Sequence, residues 1–87
     1  MKNTMPYYIY ILECANGSLY TGITIDLERR FKEHKAGKGA HYTRANPPIK
    51  MVYSEVCGSR SEALKHEAKI KGLSRKQKLA LIKTSNS

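Results

Sequence analysis

The chain has 87 residues, 16 of them Lys or Arg and 7 Asp or Glu, for a net charge of +9. That length allows one small domain, the 40% apolar content excludes a disordered polymer, and no apolar run approaches the ~18 residues of a membrane span. Two cysteines, Cys14 and Cys57, exclude a disulfide-dense secreted fold, and the N-terminus shows no signal-peptide cleavage site, so a cytoplasmic location is expected. After an N-terminal extension over residues 1–6, Tyr7-Tyr8-Ile9-Tyr10-Ile11-Leu12 is an unbroken aromatic and β-branched run that reads as a strand buried on both faces. Ala15-Asn16-Gly17 is a hairpin signal, with the return strand over residues 18–23. Asp26 caps a helix running to about Lys35 and closed by Gly37. Residues 37–48, with two glycines and a Pro-Pro pair, read as a loop. Residues 49–56 alternate as a third strand, with Ile49, Met51 and Tyr53 set against Val52 and Val56. Ser59-Arg60-Ser61-Glu62 fits a capping box that opens a helix ended by Gly72. Ser74-Arg75-Lys76-Gln77 repeats that signature for a last helix to about Ile82, and residues 83–87 read as a flexible tail. The expected fold is α/β of the α+β type over residues 7–82. It is a small three-stranded mixed sheet covered by helices, in the order β-β-α-β-α-α.

The charge is uneven. Residues 1–43 carry six basic and four acidic side chains, and residues 44–87 carry ten and three. A polyanion is the natural partner of the second half, because each neutralised phosphate releases counterions. The alternative is a solvated lysine surface. A membrane surface is not expected, since no helix pairs a broad apolar face with a purely basic one.

Several polar residues fall where apolar ones belong. On the first helix Leu27 and Phe31 define the inward stripe, and Arg30 and His34 lie on or beside it. On the second, Ala63, Leu64, Ala68 and Ile70 form the inward face, with Glu67 near its centre. An inward carboxylate is costly without a cation or strong donor. Singly, each has a plain structural explanation: a snorkelling arginine, a satisfied core-edge histidine, a surface ion pair. Together they suggest a polar pocket between helices and sheet. The hairpin bears on it. A two-residue turn at Asn16-Gly17 would pair Tyr10 with Ile23 and put Tyr10 and Tyr20 on opposite faces. A three-residue loop with a left-handed Gly17 would set Tyr20 opposite Leu12 and put both phenols on one face. The sequence permits both.

Tyr8-Ile9-Tyr10, nine residues, then Tyr20-Thr21-Gly22 resembles the paired motif of the GIY-YIG nuclease superfamily. Leu27, Arg30 and His34 resemble the helix pattern that follows it. Residues 61–67, ending in Glu67, resemble the later helix that carries the family's acidic residue. The likeness covers about residues 7–82 and points to the small stand-alone bacterial branch of that family. Tyr8 stands where the family has its first Gly, and Thr21 where it has Ile; Asn86 takes no role from the family's C-terminal Asn.

The resemblance implies phosphodiester hydrolysis with one divalent metal. Glu67 is then the metal ligand, and a single hard carboxylate suits Mg2+ or Mn2+. Tyr10 is the first choice for the base that activates water and Tyr20 the second. Arg30 is placed to clamp the phosphate, and His34 to orient the tyrosine or shuttle its proton. Tyr42 and His41 lie in a loop able to meet the phosphate. Lys35, Lys38, Arg44, Lys69, Lys71, Arg75, Lys76 and Lys78 are candidate backbone contacts without sequence preference. The expected partner is nucleic acid, DNA first, and the expected state a monomer. The competing reading is a non-catalytic nucleic-acid-binding module with a vestigial site. A zinc site from Cys14, Cys57 and His41 or His66 lacks ligand spacing.

Overall fold

The central strand, β1, runs over Tyr7–Cys14, and Ile9, Tyr10, Ile11 and Leu12 within it are at most 1% exposed. A run this apolar on both faces needs cover on both sides, and the computed structural model, which describes residues 6–85, supplies it. β2 (Leu19–Thr24) and β3 (Pro48–Cys57) flank it in the order β2-β1-β3. Both ladders are antiparallel. A mixed sheet was the expectation; β2 and β3 do run the same way, but β1 lies between them, so no parallel pair forms.

The hairpin takes the three-residue form. Gly17 adopts φ +85°, Gly17 N–H donates to Cys14 O at 2.8 Å, and Cys14 N–H donates to Ser18 O at 2.9 Å. Leu12 therefore pairs with Tyr20 and Tyr10 with Gly22. Alternation along β1 and β2 then puts Tyr10, Leu12 and Tyr20 on one face and Ile9, Ile11, Thr21 and Ile23 on the other.

The first face is covered by α1 (Leu27–Lys35) and by α2, a five-residue helix at His41–Ala45. α1 is capped by Asp26, whose side chain accepts from Arg29 N–H, and its one buried residue is His34. Leu27 and Phe31 are only half-buried. α2 occupies part of the segment read as loop. The other face packs against α3 (Arg60–Lys71) and α4 (Arg75–Ser85), in a core of Ile9, Ile11, Tyr53, Cys57, Ala63 and Ile70 with Leu81 and Ile82 against it. The inward side of α3 is Ala63, Glu67 and Ile70, at i, i+4 and i+7. Leu64 is 38% exposed and Ala68 is exposed, so the stripe is narrower than the one expected. On β3, Ile49 is 55% exposed at the register shift between Glu13 and Cys14, and Val56 is 60% exposed on the face opposite buried Tyr53 and Cys57. α4 continues through residues 83–85; residues 1–5 of the expected extension and residues 86–87, with Asn86, lie outside the described residues.

Candidate active site

Tyr10 and Tyr20 share the α1 face, and the chain between them brings their rings to one histidine. His34 is fully buried, and its Nε2 lies 2.8 Å from the Tyr10 hydroxyl. The Tyr20 ring meets His34 edge-on, with centroids 5.2 Å apart. The other ring nitrogen, Nδ1, lies 2.7 Å from Thr43 Oγ1, so both nitrogens are satisfied. Two close approaches make this possible. Gly22 lies under the phenol, where an added Cβ would sit 2.5 Å from the Tyr10 oxygen. Gly39 lies against the imidazole, where a Cβ would collide with Nδ1 and Cγ.

Arg30 enters from one turn earlier on α1. Its Nη1 donates to Glu33 Oε1 at 3.0 Å and its Nη2 to Gly39 O at 3.0 Å, which fixes the fork beside the phenol. Burial raises the Tyr10 pKa; Arg30 opposes that rise, and the charges of Tyr20 and Glu67 add to it. Tyr10 is therefore a neutral phenol at neutral pH. His34 is held down to about 4, first by burial and then by the positive charge of Arg30, with Glu33 pulling the other way. It is a neutral acceptor throughout the physiological range.

Glu67, on α3, is inward as expected. Its side chain is 19% exposed, and Oε2 is 3.3 Å from Lys71 Nζ. The donor set for a metal is this one hard carboxylate; among the described residues no group of three or more His, Cys, Asp or Glu is placed to hold an ion. Such a site fits a cation that keeps most of its own water, as Mg2+ does. The zinc reading fails on distance. Cys14 ends β1 beside Pro48, whereas Cys57 pairs with Tyr7 at the opposite end, roughly 20 Å away along the strand.

The candidate backbone contacts divide into groups. Lys71 and Lys78 line a cavity of about 420 Å³ with Leu19, Tyr20, Thr21 and Tyr42, on the edge strand β2. Tyr42 stacks on Tyr20 at 6.2 Å and donates its hydroxyl to Ser18 Oγ at 2.5 Å. Lys38, His41 and Arg44 line a second depression beside Gly39. Arg44 Nη2 donates to His41 Nδ1 at 3.3 Å. Lys35 lies over the Phe31 ring, Arg75 donates to Gly17 O at 2.7 Å, and Lys76 is exposed on α4. Lys69 stands apart, lining a cavity with Glu55, Cys57 and Glu62 toward β3.

Thr43 and Gly39 were not among the residues singled out from sequence. The signal for Thr43 was indirect: a histidine on an apolar stripe needs partners for two nitrogens, and the segment after α1 must supply one.

Comparison with known proteins agrees with this architecture. Residues 6–80 match the model of the GIY-YIG catalytic domain. A UPF0213 protein of Streptococcus agalactiae serotype V is 51% identical over 79 residues, covering 91% of this chain and 90% of the relative. The solution NMR structure of a UPF0213 protein from Bacillus halodurans, 46% identical, superposes with a TM-score of 0.60 over 92% of this chain and 85% of that one. That of a protein from E. faecalis, 47% identical, gives 0.63 over 97% and 90%. With the family model matched over residues 6–80 and relatives about half identical over nearly the whole chain, the chain belongs to the GIY-YIG family, a nuclease superfamily.

Proposed function

We propose that the protein is a metal-dependent nuclease that hydrolyses phosphodiester bonds in DNA, including branched or damaged structures. The observation that carries this reading is the buried Tyr10–His34 pair, 2.8 Å apart, with a fixed arginine beside it. In this reading Tyr10 takes the proton of the attacking water as its own proton passes to His34 Nε2. The transfer is uphill for a histidine held near 4. A bound phosphodiester supplies the negative charge that favours the imidazolium. Arg30 contributes fixed donors to the non-bridging oxygens as charge builds in the transition state. Tyr20 packs the imidazole edge and borders the cavity through which DNA approaches. Glu67 would hold the divalent ion, Mg2+ or Mn2+, which supplies charge stabilisation at the phosphorus and the leaving oxygen.

The cavity beside Tyr20 and Tyr42, with Lys71 and Lys78, suits a phosphate backbone next to a stackable base. All five central side chains come from one chain, so the reading requires only a monomer. The location that suits it is the cytoplasm, where free Cys14 and Cys57 persist as thiols. One observation favours the alternative, a DNA-binding module without catalysis: the Glu67 carboxylate is already paired with Lys71.

Linear, nicked, flapped and junction DNA, with and without Mg2+ or Mn2+, distinguish the two. Cleavage of at least one substrate, dependent on the metal and abolished in a folded Glu67→Ala variant, supports the nuclease. Salt-sensitive binding with every substrate left uncut, or full activity in Glu67→Ala, removes it.

A further inference from the structure

We propose that Thr43 is the positioning residue of the site, its hydroxyl holding His34 in the tautomer that can accept the Tyr10 proton. The proposal rests on the nuclease reading for its catalytic meaning, but the tautomer itself is a property of the folded protein.

The argument is a count of protons in a dry space. His34 and Thr43 are both fully buried, so no solvent completes their hydrogen bonds. A threonine hydroxyl has one proton to give. Thr43 Oγ1 lies 3.2 Å from Ala40 O and donates there. The same carbonyl accepts Arg44 N–H at 3.0 Å in the first turn of α2, so it is anchored to the backbone. With its proton directed to that carbonyl, Thr43 Oγ1 accepts at the 2.7 Å contact with His34, and Nδ1 carries the ring proton. Nε2 is then a bare lone pair facing the Tyr10 hydroxyl at 2.8 Å.

The other end of the chain points the same way. Arg30, beside the phenol, has donors and no acceptor, so the Tyr10 proton turns toward Nε2 rather than toward the guanidinium. Every donor from Tyr10 through His34 and Thr43 to Ala40 thus has one acceptor, in one direction. In the opposite tautomer Nε2–H would donate to the Tyr10 oxygen, and the phenol proton, with only the guanidinium beside it, would be left without an acceptor. Gly39 completes the lock, because its bare Cα lets the backbone lie against the imidazole and resist a ring flip.

The test reads the tautomer and the chemistry separately. Long-range 15N–1H spectra of the full chain, with the His34 signals assigned by their loss in His34→Asn, report which nitrogen is protonated. The expected result is protonated Nδ1 in the wild type and in Thr43→Ser, and a shift toward protonated Nε2 in Thr43→Val. On a cleaved substrate, Thr43→Val is expected to lower kcat by roughly 100-fold with KM little changed, the low end of a positioned acid–base contribution. Thr43→Ser is expected to recover most of that loss. Protonated Nε2 in the wild type overturns the proposal without any variant. So does a folded Thr43→Val that keeps the wild-type tautomer, or that cleaves at the wild-type rate. If no DNA is cut at all, the nuclease reading falls while the tautomer result still stands or fails by itself.

Discussion

Tyr10 owes its place to what its neighbours lack. Gly22, directly across the ladder, leaves room for the phenol to lie over β2 and reach His34. A methyl at that position would meet the Tyr10 oxygen at 2.5 Å, and the buried His34 imidazole 2.8 Å beyond leaves the phenol little room to yield. Gly22→Ala is therefore expected to destabilise the fold by about 1–3 kcal/mol and to displace the phenol from Nε2. A urea melt and the His34 NMR signals check both; an unchanged midpoint contradicts the close packing. His34 carries a second prediction. Its pKa is about 4 in the fold against 6.5 in an ordinary environment. Between those values the unfolded chain binds more protons. The stability due to neutral His34 is then complete above about pH 6.5 and is lost as pH falls toward about 4. The melting temperature of the wild type is expected to fall across that window, and His34→Gln to flatten the fall. An equal slope in the variant would show that His34 is not the group responsible.

At the scale of elements, the hairpin loop decides whether there is a site. One residue fewer in that loop would move Tyr20 to the other face, because side chains alternate with period two. Gly17 supplies the left-handed turn at φ +85°. Nothing crowds a Cβ there, so Gly17→Ala carries backbone strain alone, about 1 kcal/mol. Denaturant unfolding is expected to show that loss without a change in cooperativity; a loss several times larger would mean the loop has rearranged. The two loop lengths were equally legible from Ala15-Asn16-Gly17, so sequence posed the question and only the register answered it. α2 was not legible. It spans five residues, its N-cap Ala40 makes no side-chain bond, and its first turn has no acidic residue. Too short for periodicity and without a cap, such a helix is held by its surroundings. Thr43, its one buried residue, was hidden with it. On α3 hydrophobicity puts both Ala63 and Leu64 inward, and only the small Ala63 fits against the sheet.

Across the whole molecule, the expected elements and their order follow from periodicity and caps, and of the five residues the resemblance implied, the fold gathers Tyr10, Tyr20, Arg30 and His34 on the α1 face while Glu67 is carried by α3. What sequence could not convey is which surface lysines share a direction. Lys71 and Lys78, seven residues apart on two helices, meet at one cavity, whereas Lys69, two residues from Lys71, faces another. β2 is an edge strand, and Lys71 of α3 and Lys78 of α4 stand beside it. DNA binding is therefore expected to weaken steeply with salt. Removing Lys71 and Lys78 together should reduce the slope of log K against log salt by up to about 2, roughly 0.9 per phosphate contact. An unchanged slope would place the DNA elsewhere.

The proposed joint action of Tyr10, His34 and Arg30 on one phosphodiester is tested most directly by Tyr10→Phe, which deletes a single oxygen and keeps the ring. In the presence of Mg2+, the wild type is predicted to cut at least one branched or nicked DNA. Tyr10→Phe is predicted to bind the same DNA with the same salt dependence and to cut it at background rate. Cleavage by Tyr10→Phe at the wild-type rate would contradict the account.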